Sequence, residues 1–165
     1  MIEIEAERGG CPALAALEAG DEPLVGRMFE RLSTESVYRR FFTPLARPEQ
    51  FTRLVLRQDG FERAAVAAVE SGEVIGIAQY SRRPGACAAD LGIVVADAWQ
   101  RQGVGTRLVA ALADVARAAG IETFAVDVQG DNYGVHRLLR RVAPAMRLTF
   151  SGGEGHGEFA TEPAA

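Results

Sequence analysis

Ile2-Glu3-Ile4-Glu5 alternates apolar and charged residues and predicts a short strand. Gly9–Gly20 is rich in small residues and shows neither period. Asp21-Glu22-Pro23 then places two acids and a proline where a helix begins, and Leu24, Val25, Met28, Phe29 and Leu32 share one helical face. Ser33-Thr34-Glu35-Ser36 offers a second cap ahead of Val37–Phe42, Pro44 and Pro48 break the chain, and Glu49–Arg57 predicts a third short helix. The middle changes character. Ala64–Val69 and Val74–Tyr80 are apolar runs joined by Glu70-Ser71-Gly72-Glu73, a hairpin signal. Arg83-Pro84-Gly85 marks a turn, and Ala88–Val95 predicts a further strand. A helical pattern through Leu108, Val109, Leu112, Val115 and Ala116 follows Gly105 and ends at Gly120. Ile121–Val128 predicts a strand. Asp131-Asn132 caps a helix to about Val142, and Pro144 stops it. Met146–Phe150 and Gly157–Ala160 predict a closing pair of strands around the loop Ser151–Gly155. Helices, then antiparallel strands, then a strand–helix–strand–helix unit predict a mixed α/β fold built on one sheet.

A chain of 165 residues with 48% hydrophobic content fits a single domain spanning residues 1–165. No apolar run approaches the ~20 residues a membrane helix needs. The segment MIEIEAERGG holds neither a basic leader nor an apolar signal core, so a cytoplasmic location is expected. A net charge of −4 and a pI near 5.3 argue against nucleic acid as a partner. All 18 basic residues are Arg and none is Lys, so the protein cannot modify lysine side chains of its own. Cys11 and Cys87 lie far apart without metal-ligand spacing; reduced, structural thiols and no metal are expected. His136 and His156 each stand alone in the sequence.

The chemistry concentrates at Asp97–Leu108, DAWQRQGVGTRL, where Gly103-Val104-Gly105 joins a strand to a helix. The first turn of a helix presents unpaired N–H groups and partial positive charge, and glycines let phosphate oxygens approach the backbone. A tight turn with no ligand is the plain alternative. The dinucleotide fingerprint G-x-G-x-x-G fails at Leu108, and a P-loop needs a Lys that the chain lacks. The pattern Q/R-x-x-G-x-G/A is met in full by Gln100-Arg101-Gln102-Gly103-Val104-Gly105.

That loop resembles the pyrophosphate loop of the general N-acetyltransferase (GNAT) superfamily, whose members bind acyl-coenzyme A. Phe29–Ser33, Ser36–Phe42, Ala89–Gln100 and Asp131-Asn132 are similar to the bacterial protein-lysine acetyltransferase domains, so the resemblance covers most of the chain. It implies a six- or seven-stranded mixed sheet, splayed in the middle and flanked by helices. It implies that the pantetheine arm of acetyl-CoA pairs with the strand edge at Ile93, Val94 and Val95. The pyrophosphate would lie on Arg101, Gln102, Gly103, Val104, Gly105 and Thr106. Gln100 would position the loop, and Asn132 would contact CoA. The implied activity is N-acetyltransferase: direct attack of a primary amine, a protein lysine such as one on an acyl-CoA synthetase, on the thioester.

Where that subgroup carries a Glu as general base, this sequence has Asp90, one methylene shorter. Asp127 is another candidate carboxylate. The tyrosine that many members use to protonate the thiolate is replaced by Leu139, and Val142-Ala143-Pro144 stands where a Gly-aromatic pair is usual. These departures leave a non-catalytic acyl-CoA-binding sensor or regulatory module as the alternative. Arg137, Arg140 and Arg141 predict a basic, solvated helix face, with contact to the CoA 3′-phosphate as the second reading. A homodimer is compatible with the sequence.

Overall fold

In the computed structural model, residues 1–6, 9–43 and 47–162 are described. The elements run β1 (Ile2–Glu5), β2 (Ala13–Ala16), α1 (Glu22–Glu30), α2 (Thr34–Phe41), α3 (Pro48–Leu56), β3 (Arg63–Glu70), β4 (Glu73–Arg82), β5 (Ala88–Val95), α4 (Val104–Ala118), β6 (Thr123–Gln129), α5 (Tyr133–Val142), β7 (Thr149–Ser151) and β8 (Glu154–Ala160). Eight strands form one sheet in the order β1-β2-β3-β4-β5-β6-β8-β7. Every neighbouring pair is antiparallel except β5–β6, which is parallel. Helix α4 supplies the crossover that a parallel pair requires.

The strand beyond the six or seven expected is β2, inside the stretch that shows no period. Alanines carry little intrinsic β preference. Leu14 and Ala15 form a strand because β1 and β3 bracket them, and both are buried there. The chain break assigned to Pro44 lies outside the described residues. The glycine-rich loop expected at Ser151–Gly155 shrinks to a two-residue turn, with Ser151 opposite Glu154 in the β7–β8 ladder. Strand β8 is correspondingly longer than the sequence suggests.

Each face of the sheet carries its own core. On one face, Leu108, Leu112 and Ala116 of α4 pack on Val66, Ile75, Tyr80 and Phe124. On the other, Val25, Met28 and Phe29 of α1, Val37 of α2, and Phe51 and Val55 of α3 pack on Ala65, Ala67, Ile77 and Val94. Phe29, Phe41 and Phe51 meet there with ring centroids 5.4–6.3 Å apart, which fixes α2 to α1 and α3. Side chains alternate along β5: Leu91, Ile93 and Val95 pack towards α4, and Val94 towards the N-terminal helices. Cys11 and Cys87 are both exposed rather than structural core.

Candidate functional site

Strand β5 pairs with β4 along Ala89–Val95. It pairs with β6 only through Ala88, Ala89 and Asp90. Past Asp90 the two parallel strands part, and a cleft of about 710 Å³ opens between them. Helix α2 closes one side of the cleft, and α5 with the N-terminus of α4 closes the other.

The free edge of β5 has a definite polarity. Ala96 donates its N–H to Ile75 (2.8 Å), and Ala88 accepts from the Arg83 N–H (2.9 Å), so even-numbered residues direct their backbone groups to β4. Leu91, Ile93 and Val95 therefore direct theirs into the cleft. The Val95 carbonyl already accepts from Gln100 Nε2 at 3.0 Å. Ile93 is left with both an N–H and a C=O for an extended amide chain, in the manner of an added strand. Val94 contributes side-chain packing and no edge groups.

At the far end of that edge stands the start of α4. Its N-cap is Gly103 at φ +83°, with no side-chain cap, and the first turn holds no acidic residue. The first helical bond is from Arg107 N–H to the Gly103 carbonyl (3.2 Å). The N–H groups of Val104, Gly105 and Thr106 are the orphan donors of this terminus. Helices α2 and α5, by contrast, are capped by the side chains of Ser33 and Asn132. A Cβ built at Gly103 would meet no atom within 4 Å, so the space over the donors is open. An uncapped terminus beneath open space fits a pyrophosphate by dipole and by hydrogen bonding. Arg101, Gly103, Gly105 and Thr106 line the cleft. Gln102 turns away, donating to the Ala98 carbonyl (2.8 Å), and Val104 is buried, anchoring the helix over β4 near Gly76. Asn132 spends Oδ1 on capping Val135 (3.2 Å), which leaves its amide NH2 for a ligand.

The sequence points to Gln100 as the residue that positions the loop, but not to its partner on α2 or to Asp97. Gln100 Nε2 also donates to Ser36 Oγ at 3.1 Å. Asp97 accepts from Ser33 N–H, Ser33 Oγ and Ser36 Oγ at 2.7–3.0 Å. Partial burial pushes the Asp97 carboxyl up, but these hydrogen bonds outweigh it and hold the pKa below the usual carboxylate value. A depressed folded pKa gives stability that is present above the unfolded value of about 3.9 and lost as pH falls through the folded one. Asp97→Ala should therefore cost about 1 kcal/mol at pH 7, discounted for an exposed carboxylate. The difference in Tm from the parent should close as thermal melts are taken towards pH 2.

At the apex of the cleft, Asp90 Oδ1 accepts from Arg83 Nε (2.9 Å), and Arg83 Nη1 reaches Glu158 (3.1 Å). Asp127 also lines the cleft and pairs with His156 Nδ1, its partner in the β6–β8 register. His156 is thus not alone, although no sequence spacing connects the two residues. Leu139, where a phenol would stand, is 3% exposed in the core, and Tyr133 sits on the rim at 77% exposed. Trp99 lines the cleft and packs against the α4 core. Arg137 and Arg141 line the α5 wall. Arg40 of α2 lies against β5, where burial pulls its pKa down to about 10, still a cation at neutral pH. Among the described residues, no group of three or more His, Cys, Asp or Glu side chains could hold a metal ion, and no helix is long and apolar enough to cross a membrane.

Comparison with known proteins gives this geometry a family. The chain is similar to the GNAT domain of S. lividans PAT at 25% identity, covering 96% of this chain and 95% of that one, with a TM-score of 0.83. It shares the fold of yncA, a putative acetyltransferase from Salmonella typhimurium solved with its cofactor acetyl-CoA (15% identity, 92% and 95% covered, TM-score 0.71). It also shares the fold of a cAMP-binding acyltransferase from Mycobacterium smegmatis (22% identity, TM-score 0.65); it is covered over 98% of its length but spans only 47% of that chain. The model of the acetyltransferase (GNAT) family matches residues 29–143, which hold α2, the splayed strand, the phosphate loop and α5. The chain belongs to the acetyltransferase (GNAT) family, whose fold uses acetyl-CoA for acyl transfer.

Proposed function

We propose that the protein transfers an acetyl group from acetyl-CoA to a primary amine, the side chain of a protein lysine, with Asp90 as general base. The observation that carries this is the register break: Asp90 is the last β5 residue paired with β6, so its carboxylate stands where the cleft begins. Pyrophosphate on the donors at Arg101–Thr106 and pantetheine along Ile93 would direct the thioester towards that apex. A lysine amine has a pKa of about 10.4 and must lose a proton before or during attack. Asp90 Oδ1 is engaged by Arg83, and its second oxygen is left to take that proton, through a water where the shorter side chain falls short. An N–H on the free edge, at Leu91 or Ile93, would stabilise the oxyanion. With Leu139 in place of a phenol, the CoA thiolate leaves without a side-chain acid.

The lysine acceptor is supported by likeness to the GNAT domain of S. lividans PAT over nearly the whole of both chains. A cytoplasmic acyl-CoA synthetase presenting a surface lysine is the class of partner proposed. The test is turnover: the protein, acetyl-CoA and a lysine peptide should yield free CoA and ε-acetyl-lysine in equal amounts. The chain has no lysine, so no side-chain product can arise from the enzyme itself. Binding of acetyl-CoA without turnover on peptides or small amines would leave the sensor reading instead.

A further inference from the structure

The acids around the cleft are matched: Asp90 with Arg83, Asp127 with His156, and Glu35 with Arg39. Arg40 is not. No carboxylate pairs with it among the described residues, and its one close charge contact is with the Phe41 ring, 5.0 Å from the ring centroid. It lines the cleft and lies flat on β5: a Cβ built at Gly92 would stand 2.6 Å from its Cζ. Only glycine leaves room for the guanidinium at this position. Across the β4–β5 ladder, Gly92 faces Gln79, whose buried Oε1 has no hydrogen-bond partner and which also lines the cleft. A cation without a carboxylate partner thus stands on Gly92, between the Ile93 edge and the Asp90 apex. A methyl group offers the guanidinium no counter-charge, whereas a carboxylate forms a charge-assisted pair with it.

We propose that Arg40, seated on Gly92 beside Gln79, binds a carboxylate at the far end of the acyl group. The cleft then accepts carboxyacyl-CoA donors of the malonyl or succinyl class in addition to acetyl-CoA. The inference rests on the acyl-CoA reading of the cleft. The bond changes are those of acetyl transfer. The amine nitrogen bonds to the thioester carbon, the C–S bond breaks, and CoA leaves as thiolate. The proton shed by nitrogen goes to the base and on to solvent, and the departed thiolate takes its proton from water. The distal carboxylate is unchanged throughout, so the product lysine carries a negative charge where it began with a positive one.

The test is a calorimetric titration of the whole chain with acetyl-, butyryl- and succinyl-CoA. Butyryl and succinyl have the same number of carbons and differ in the charged end. The parent protein should bind succinyl-CoA about 10-fold tighter than butyryl-CoA, the worth of one charge-assisted hydrogen-bonded pair. In Arg40→Met that ratio should fall to near one. Gly92→Ala, which displaces the guanidinium without removing its charge, should lower it too; circular dichroism and thermal melts verify folding of both. Equal binding of succinyl- and butyryl-CoA by the parent, or a ratio unchanged in Arg40→Met, would overturn the carboxylate site and leave the acyl-CoA cleft standing. Failure of all three esters to bind would overturn the cleft reading itself.

Discussion

Asp90→Ala should lower kcat for lysine-peptide acetylation by about 10²–10⁴-fold, the usual worth of a positioned general base. The Kd for acetyl-CoA, measured by calorimetry, should hardly move. The split follows from where Asp90 sits: its backbone closes the β5–β6 pairing, while its side chain meets Arg83 and the open apex. The cosubstrate is held further along, by the Ile93 edge and the start of α4. A pH series separates a lost base from a disturbed fold. As pH rises towards the lysine pKa of about 10.4, solvent supplies the neutral amine, and the gap between variant and parent should narrow. A gap of constant size across that range would point to structural damage. Full activity in Asp90→Ala, with activity lost in Asp127→Ala or His156→Ala, would move the base to the β6–β8 side of the cleft.

How much of this site was legible in the sequence depends on the range of the forces involved. The phosphate loop is a local object. Gln100 through Gly105 specify it through φ preference and unpaired donors within one turn, and Gly103 takes the positive φ a glycine permits. Helix caps at Ser33 and Asn132 are local in the same way, and both form. Strand β2 is not local. Ala13-Leu14-Ala15-Ala16 has no strand pattern, and it pairs because two neighbours leave a gap of the right register. Pairs such as Asp127–His156 and Ser36–Gln100 are set by tertiary register, 29 and 64 residues apart in sequence, and no spacing rule could reveal them.

Arg40 shows the same limit more sharply. Tyr38-Arg39-Arg40-Phe41 reads as two equivalent helix cations. Arg39 finds Glu35 one turn back, an ordinary i,i+4 pair. Arg40, one residue on, is carried by the Phe29–Phe41–Phe51 contact onto β5, where Gly92 leaves space for it. A signal was present in retrospect: a glycine in the middle of an otherwise apolar strand marks the close approach of something else.

Gly103→Val should abolish acetyl-CoA binding. At a ligand concentration 100 times its Kd, the parent should gain about 2.7 kcal/mol of stability. For a chain of this size that is a Tm rise of roughly 5–10 °C, at about 2–4 °C per kcal/mol. The variant should show no rise. Two costs are mixed in it. At φ +83° a β-branched residue is strained by about 1–3 kcal/mol, which lowers the Tm with or without ligand. The added side chain also fills the open space over the α4 donors, where the pyrophosphate would lie. Gly103→Asn separates the two costs, because asparagine tolerates the left-handed region while still filling the space. It should keep most of the parent Tm and still lose the shift. S-acetyl-pantetheine, which lacks the pyrophosphate, completes the control. It should bind parent and Gly103→Asn equally weakly, since it uses only the β5 edge. An undiminished acetyl-CoA shift in both variants would mean that the loop is a structural turn and that the pyrophosphate is held elsewhere, with the α5 arginines Arg137 and Arg141 the first place to look.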